Sequence, residues 1–192
     1  MEISYQNIVL RDMIASDIED YVRWNTTDTK WSDYDAPWEP VSGDAEAERK
    51  RWTKSYLSGK ERLADELRRG FEIEWNGKHI GSVNSYLIDE KYDWIPVREI
   101  KDGQRVHRAI GIDIYEPGLW GRGIGTNALR AFMQYYLKHG VDAIYTQTWS
   151  GNDRMIRCAE KVGFIECDRR FDACEVDGKK YDALTLVFEP HE

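Results

Sequence analysis

The chain predicts one α/β domain of the α+β kind, with a mixed, largely antiparallel central sheet flanked by helices. Three observations predict it. Asn76-Gly77, Asp102-Gly103 and Asp177-Gly178 each join runs of strand character, and a two-residue type I′ turn needs the positive φ that Asn/Asp-Gly supplies. Helical periods precede the first of these pairs, and strand and helix periods alternate between residues 109 and 163. The 192 residues suit a single core, with no repeat, linker or low-complexity tract to divide it.

The elements follow in order. Ile8 to Leu10 reads as a strand, and Ser16 as the cap of a helix with Asp17 and Glu19 in its first turn and Ile18, Tyr21, Val22 and Trp24 as its apolar stripe. Residues 25–43 carry no clear period but hold Trp31, Tyr34, Pro37, Trp38 and Pro40. A second helix runs from Asp44 to about Leu57, where Ser58-Gly59 ends it. The turn pairs then predict hairpins of Phe71–Trp75 with Ile80–Ile88, Val97–Lys101 with Gln104–His107, and Arg170–Val176 with Lys179–Phe188. In Ala109–Tyr115, Ile110, Ile112 and Ile114 fall on one face and Gly111, Asp113 and Tyr115 on the other. A helix from about Gly125 to Lys138 stops at Gly140, Ala143–Thr148 is a strand, and Ser150-Gly151-Asn152 opens a helix that Gly163 closes.

Composition excludes several classes. The 27 basic and 35 acidic side chains give a net charge of −8, and no dense Lys/Arg run appears, so nucleic acid is not the expected partner. Arg49-Lys50-Arg51 lies among Asp44, Glu46 and Glu48 and reads as a solvated helix face. No stretch approaches the ~18 apolar residues of a membrane helix, and the start lacks a signal-peptide pattern. Cys158, Cys167 and Cys174 show no C-x-x-C spacing, and the four histidines are scattered. The expectation is a reduced, cytoplasmic protein with no metal and no membrane contact.

Chemistry concentrates in Trp120-Gly121-Arg122-Gly123-Ile124-Gly125-Thr126, set between a strand and a helix. Glycines there let backbone N–H groups turn toward an anion, and the helix start adds its positive dipole end. The same glycines also suit a turn that serves only helix–strand packing. No lysine completes a Walker A loop, and the order G-x-G-x-G with Tyr145 and Thr146 downstream departs from a dinucleotide fingerprint.

On those residues the chain resembles the GNAT family of acetyl-CoA-dependent N-acetyltransferases. Arg122, Gly123 and Gly125 match its pyrophosphate loop, with Trp120 in place of the usual first Gln/Arg. A Trp-Gly-Arg/Lys-Gly start is common in the branch holding ribosomal-protein acetyltransferases and aminoglycoside 6′-acetyltransferases. Asn152 to Phe164, with Glu160-Lys161-Val162-Gly163-Phe164, is similar to that branch's following helix, and Asp177 to Leu184 to its closing hairpin. The resemblance implies one GNAT-like domain over 1–192, with 1–107 on the acceptor side and 108–188 binding acetyl-CoA. It implies backbone contacts to the pantetheine arm from Asp113, Ile114 and Tyr115, a pyrophosphate held by Arg122, Gly123, Ile124, Gly125 and Thr126, and Asn152 near the thioester. Asn152 equally suits a plain helix N-cap.

A lysine-like amine has a pKa near 10.4, so reaching its reactive neutral form at pH 7 costs about 4–5 kcal/mol, and a proton acceptor is needed. Asp113 is the expected base: in similar aminoglycoside 6′-acetyltransferases a Gly-x-Asp precedes the glycine loop. An aspartate near 3.9 is a weak base unless burial raises it, and Asp113 also suits simple attraction of a cationic acceptor. Many GNAT enzymes place a tyrosine acid where this chain has Ala159, with Cys158 and Ser150 nearby as other donors.

Seven acids stand between Asp28 and Glu48 against the single base Lys30. Together with Trp31, Tyr34 and Trp38, the acids Asp33 and Asp35 suit a cation carrying flat sugar or alkyl surfaces, such as an aminoglycoside (a resistance-type substrate) or a polyamine. A basic peptide N-terminus also fits, as does a solvated acidic loop over a small core. The Asp89–Arg108 piece, with Trp94 and Glu99, is expected to project as a hairpin that contacts substrate or a second copy in a homodimer. A non-catalytic acetyl-CoA-binding sensor is the alternative to an enzyme.

Overall fold

Eight strands pair side by side in the order β1-β2-β3-β4-β5-β6-β8-β7. They are β1 (Glu2–Tyr5), β2 (Ile8–Arg11), β3 (Gly70–Trp75), β4 (Lys78–Ile88), β5 (His107–Ile114), β6 (Ile144–Trp149), β7 (Ile165–Val176) and β8 (Lys179–Phe188). Four helices flank them: α1 (Asp17–Thr26), α2 (Ala45–Ser58), α3 (Ile124–Lys138) and α4 (Asp153–Val162). The computed structural model describes residues 1–59 and 67–190. Every strand pair is antiparallel except β5 with β6, as the largely antiparallel sheet predicted from the sequence requires.

The two faces of the sheet are covered differently. Ile110 of β5, together with Ile8, Leu10, Ile73 and Ile80, is buried under α3, whose Leu129, Phe132 and Tyr136 are closed from solvent. On the opposite face, Tyr21 and Trp24 of α1 pack against Tyr115, with Trp31 and Trp52 around them. Trp52 of α2 stacks on Tyr21 at 3.5 Å, and Trp24 on Tyr115 at 4.4 Å. The alternation of Ile110/112/114 with Gly111/Asp113/Tyr115 thus divides the main core under α3 from a smaller aromatic one under α1.

Local chemistry places most boundaries where the sequence does. Asn76-Gly77 and Asp177-Gly178 hold positive φ at both residues, the type I′ requirement. Asp44 caps α2 by accepting from the Glu46 and Ala47 amides, and Gly59 ends it in the left-handed region. Two expectations are corrected. Ser16 makes no capping bond; the neighbouring Asp17 carboxylate instead accepts the Ile14 amide at 2.8 Å and pairs with Arg11. Asp102-Gly103 forms its turn, but no hairpin surrounds it: Val97–Glu99 is a 3-10 turn after Pro96, and the strand begins only at His107. β3 covers β4 only as far as Asn84, and the rest of that edge is met by residues 94–95, where Trp94 bridges Ile88 and the Ile95 amide donates to the Leu87 carbonyl. β1 and the stretch 165–169 of β7 are strands beyond those expected.

Candidate active site

The centre of the sheet is split. β5 and β6 pair only through Arg108 with Ile144 and Ala109 with Tyr145, after which they diverge, Thr146 Oγ1 still donating to the Ile110 carbonyl at 2.8 Å. The Tyr115 amide donates to the Ile80 carbonyl, and this fixes the alternation along β5. Asp113 and Gly111 bond to β4, whereas Ile112 and Ile114 turn their backbone groups toward the cleft. Trp120 Nε1 takes the Ile114 carbonyl at 2.8 Å. Ile112 is left presenting a donor and an acceptor in the manner of an edge strand.

At the head of this cleft stands the glycine loop. Gly121 and Gly123 have φ of +77° and +79°, and nothing lies within 4 Å of where a Cβ would stand on either. Gly123 is the residue before α3, and no side chain caps that helix start. Arg122 is exposed, Ile124 is buried under the sheet, and Thr126 Oγ1 lies 3.6 Å from the Cys158 thiol. The uncapped first-turn amides of a fifteen-residue helix therefore face an open glycine cradle suited to an anion.

Asp113 lies beside the cleft, half-buried, on the aromatic face. Burial, and then the charge of Asp35, holds its carboxyl well above the usual carboxylate range. Asp35 is itself raised, by desolvation of its carboxyl first and by Glu39 second, although the residue keeps exposed surface at the rim. Tyr86 is pushed up to about 12 by burial and by Asp35. Two carboxylates whose charges oppose one another thus stand where a cation would relieve both.

The 28–40 segment roofs this recess. Trp31 donates to the Trp24 carbonyl at 2.8 Å and meets Tyr115 edge-on. Tyr34 offers one carbonyl to two donors, Trp149 Nε1 at 2.9 Å and Asn152 Nδ2 at 2.6 Å. Its ring faces Trp120, and the Arg154 guanidinium lies over both rings. Trp38 is exposed beside Trp149, and Asp33 is exposed and paired with Lys30. Asn152 also caps α4 by accepting the Met155 amide at 3.0 Å, so both its amide nitrogen and its oxygen carry a bond. The structure sets Asp35 within reach of the Asp113 charge and Trp31 against Tyr115, places Tyr34 on Trp120 and Asn152, and leaves Asp33 exposed on Lys30.

Sequence reasoning missed Ser82, Tyr86 and Arg154. Ser82 faces Asp113 only through the β4–β5 register, and Arg154 finds its aromatic partners only through the loop's docking. It also missed the charges behind α1. His79 Nε2 lies 2.9 Å from Glu72 Oε2, its Nδ1 lies 3.1 Å from Asp20 and 3.4 Å from Asp17, and Arg11 bonds Asp17 through two nitrogens. Asp17, Asp20 and His79 gather ligand-type atoms within 4.8 Å, but Arg11 already claims Asp17.

Burial works to lower the His79 pKa, and Glu72, Asp17 and Asp20 outweigh it, so the net shift is upward. A raised histidine contributes stability that is full below its unfolded value near 6.5 and is lost as pH rises through the folded value. Thermal midpoints measured from pH 6 upward are therefore expected to fall, and His79→Gln to flatten that slope. An equal slope in the variant would assign it elsewhere.

Residues 7–165 match the acetyltransferase (GNAT) domain family. No curated protein matches the chain by sequence. Among solved structures, a ribosomal L7/L12 α-N-protein acetyltransferase in complex with coenzyme A superposes at TM-score 0.72 with 17% identity, covering 98% of each chain. The ribosomal-protein-S5-alanine acetyltransferase of Vibrio fischeri gives TM-score 0.72 and 17% identity over 98% of this chain and 96% of that one. AAC(6')-Ib in complex with ribostamycin and coenzyme A gives TM-score 0.66 and 22% identity over 96% and 94%. At these identities the likeness is one of fold.

Proposed function

The chain belongs to the acetyltransferase (GNAT) family, and from that premise we propose that it moves an acetyl group from acetyl-CoA to the primary amine of a cationic small molecule, by direct attack with both substrates bound. The observation that carries this reading is the Asp113 carboxyl, raised by burial and by Asp35, beside the backbone that β5 turns into the cleft.

The residues present fit acetyl-CoA. The Gly121–Gly123 cradle and the uncapped start of α3 suit a pyrophosphate, with Arg122, Ile124, Gly125 and Thr126 completing the turn. Ile112 and Ile114 suit an extended pantetheine arm laid along β5 as an added strand, with Tyr115 closing its end. When bound, acetyl-CoA supplies an activated acyl carbon and a thiolate leaving group. Asn152 keeps one Nδ2 N–H on the Tyr34 carbonyl, so the Tyr34 loop orients the amide whose second N–H would meet that arm.

The amine arrives as an ammonium, and Asp113 takes its proton. The raised Asp113 pKa narrows the gap to the ammonium and makes the carboxylate a stronger base than an exposed aspartate. Asp35 holds the second charge of the recess toward the acceptor, while Trp31, Tyr34 and Trp38 offer it flat surface. A separate open groove of about 410 Å³ is lined by Asp28, Asp33 and Glu116, but Arg23 pairs with Asp28 and Glu116 and Lys30 with Asp33, so the unpaired charge stays with Asp113 and Asp35. A cation with more than one amine, such as an amino sugar or a polyamine, matches this distribution.

Thiol release from acetyl-CoA against aminoglycosides, polyamines and basic N-terminal peptides tests the reading. Turnover with amino sugars or polyamines is expected. Turnover with peptides alone would transfer the acidic roof to a protein acceptor, and binding of acetyl-CoA with no turnover would make the domain a sensor.

A further inference from the structure

Across the middle of the sheet runs a row that is nearly bare of side chains. Gly70 of β3 lies opposite Asn84 of β4, and Asn84 lies opposite Gly111 of β5. The row on one side of it is Glu72–Ser82–Asp113, and Tyr86 with Ala109 follows on the other. Strand residues alternate between faces and the β4–β5 register runs unbroken through these pairs, so all of them share the face that carries Asp113. Asn84 is the only side chain of its row, exposed in a trough with a glycine on either hand.

The two glycines answer different needs. A Cβ on Gly70 would stand 2.7 Å from the Val83 carbonyl oxygen, so the backbone itself excludes it. A Cβ on Gly111 would meet the Asn84 side chain first, with Oδ1 at 3.1 Å and Nδ2 at 3.4 Å. The bare position at 111 thus leaves the Asn84 carboxamide room to lie over β5, the strand of Asp113. Packing does not call for an amide there: among the described residues it has no hydrogen-bond partner. Asn84 and Asp113 are diagonal neighbours across β4 and β5, a separation of about 7 Å between residues. The charge of Asp35 reaches Asp113 at one end of this span and Tyr86 at the other, so the acidic rim serves the face on which the amide lies.

An ionised carboxylate only accepts hydrogen bonds, whereas a carboxamide both donates and accepts. The two groups therefore ask for different partners. An ammonium satisfies Asp113 but can use only Oδ1 of Asn84, and it leaves the Nδ2 donors facing a cation. A hydroxyl accepts from Nδ2 or donates to Oδ1, and two neighbouring ring hydroxyls engage both atoms together. A polyamine brings charge for Asp113 and Asp35 but nothing for Nδ2. Resting on the acetyl-transfer reading above, we infer that Asn84 is the specificity-determining residue of the acceptor recess: it hydrogen-bonds hydroxyls beside the reacting amine, so the substrate is an amino sugar rather than a polyamine.

Kanamycin B and dibekacin, which has the same amines but lacks two ring hydroxyls, provide the test, with spermidine as the polyamine. The wild type is expected to show a KM for kanamycin B roughly 3–10-fold below that for dibekacin, the worth of a hydrogen bond at a solvated site. Asn84→Leu keeps the size of the side chain and removes its polarity. It is expected to raise KM for kanamycin B by that same factor, with kcat within about twofold, and to leave KM for dibekacin and spermidine unchanged. Gly111→Ala pushes the amide aside and is expected to cause the same selective loss, since the Asn84 side chain can swing away from the new methyl. A merely structural role for Asn84 would move all three substrates alike. KM rises shared equally by kanamycin B and dibekacin would overturn the inference, as would a wild-type KM for kanamycin B in both variants. Turnover of spermidine by a wild type that ignores kanamycin B would also overturn it, with the acetyl-transfer reading left standing. A wild type that acetylates no amine would overturn both together.

Discussion

Asp113→Asn is expected to lower kcat roughly 10²–10⁴-fold, the span that a positioned general base contributes. Acetyl-CoA affinity, read by calorimetric titration, stays in place because the cradle at Gly121–Gly123 and the cleft-facing groups of Ile112 and Ile114 do not depend on that carboxyl. The pH profile separates a base from a mere cation attractor. Because burial and Asp35 raise the Asp113 pKa, kcat/KM of the wild type climbs as pH rises through that raised value, and the variant loses this limb. Stability moves the other way. A carboxyl whose pKa is raised on folding penalises the native state once it ionises, so at neutral pH the asparagine variant melts higher than the wild type. A gain in thermal midpoint together with loss of turnover is the trade expected of a strained functional group. An active variant would remove Asp113 from the chemistry.

Gly81→Ala is expected to damage the same residue from behind. A Cβ at Gly81 would stand 2.0 Å from the Asp113 carbonyl oxygen and 3.1 Å from its carbonyl carbon, both backbone atoms that cannot swing aside. β5 must move away from β4 by about an ångström, at a stability cost of about 1–3 kcal/mol. A displacement of that size at a reacting group costs about 10²-fold in rate. Gly118→Ala is the control: nothing lies within 4 Å of where its Cβ would stand, so it should fold and turn over normally. Equal effects of the two substitutions would show that the close β4–β5 approach does not position Asp113.

The parts of the site legible in the sequence are those set by short-range rules. Gly121 and Gly123 reveal a left-handed loop before a helix, and the alternation in 109–115 places Asp113 opposite three isoleucines. Asn152 was equally readable as a cap. What the sequence could not display depends on register and docking: Ser82 meets Asp113 because β4 and β5 pair at that offset, and Tyr34 reaches Trp149 and Asn152 across more than a hundred residues. Asp102-Gly103 misled because turn chemistry is local, whereas a hairpin also needs two flanking runs that pair, and here one flank is the 3-10 turn Val97–Glu99. His79, read as a scattered histidine, gains Asp17 and Asp20 beside Glu72 only when α1 lies across β3 and β4.

The narrow β5–β6 seam divides the backbone ladder of the eight-stranded sheet into two halves, which the core under α3 spans. Strands β1–β5 share long ladders, as do β6, β8 and β7, but two register pairs and one threonine bond join the halves. Sub-global opening in proteins follows such boundaries. A ligand that completed this ladder would tie its own binding to the union of the two halves, and hydrogen-exchange protection on both sides of the seam is then expected to rise together when acetyl-CoA is added.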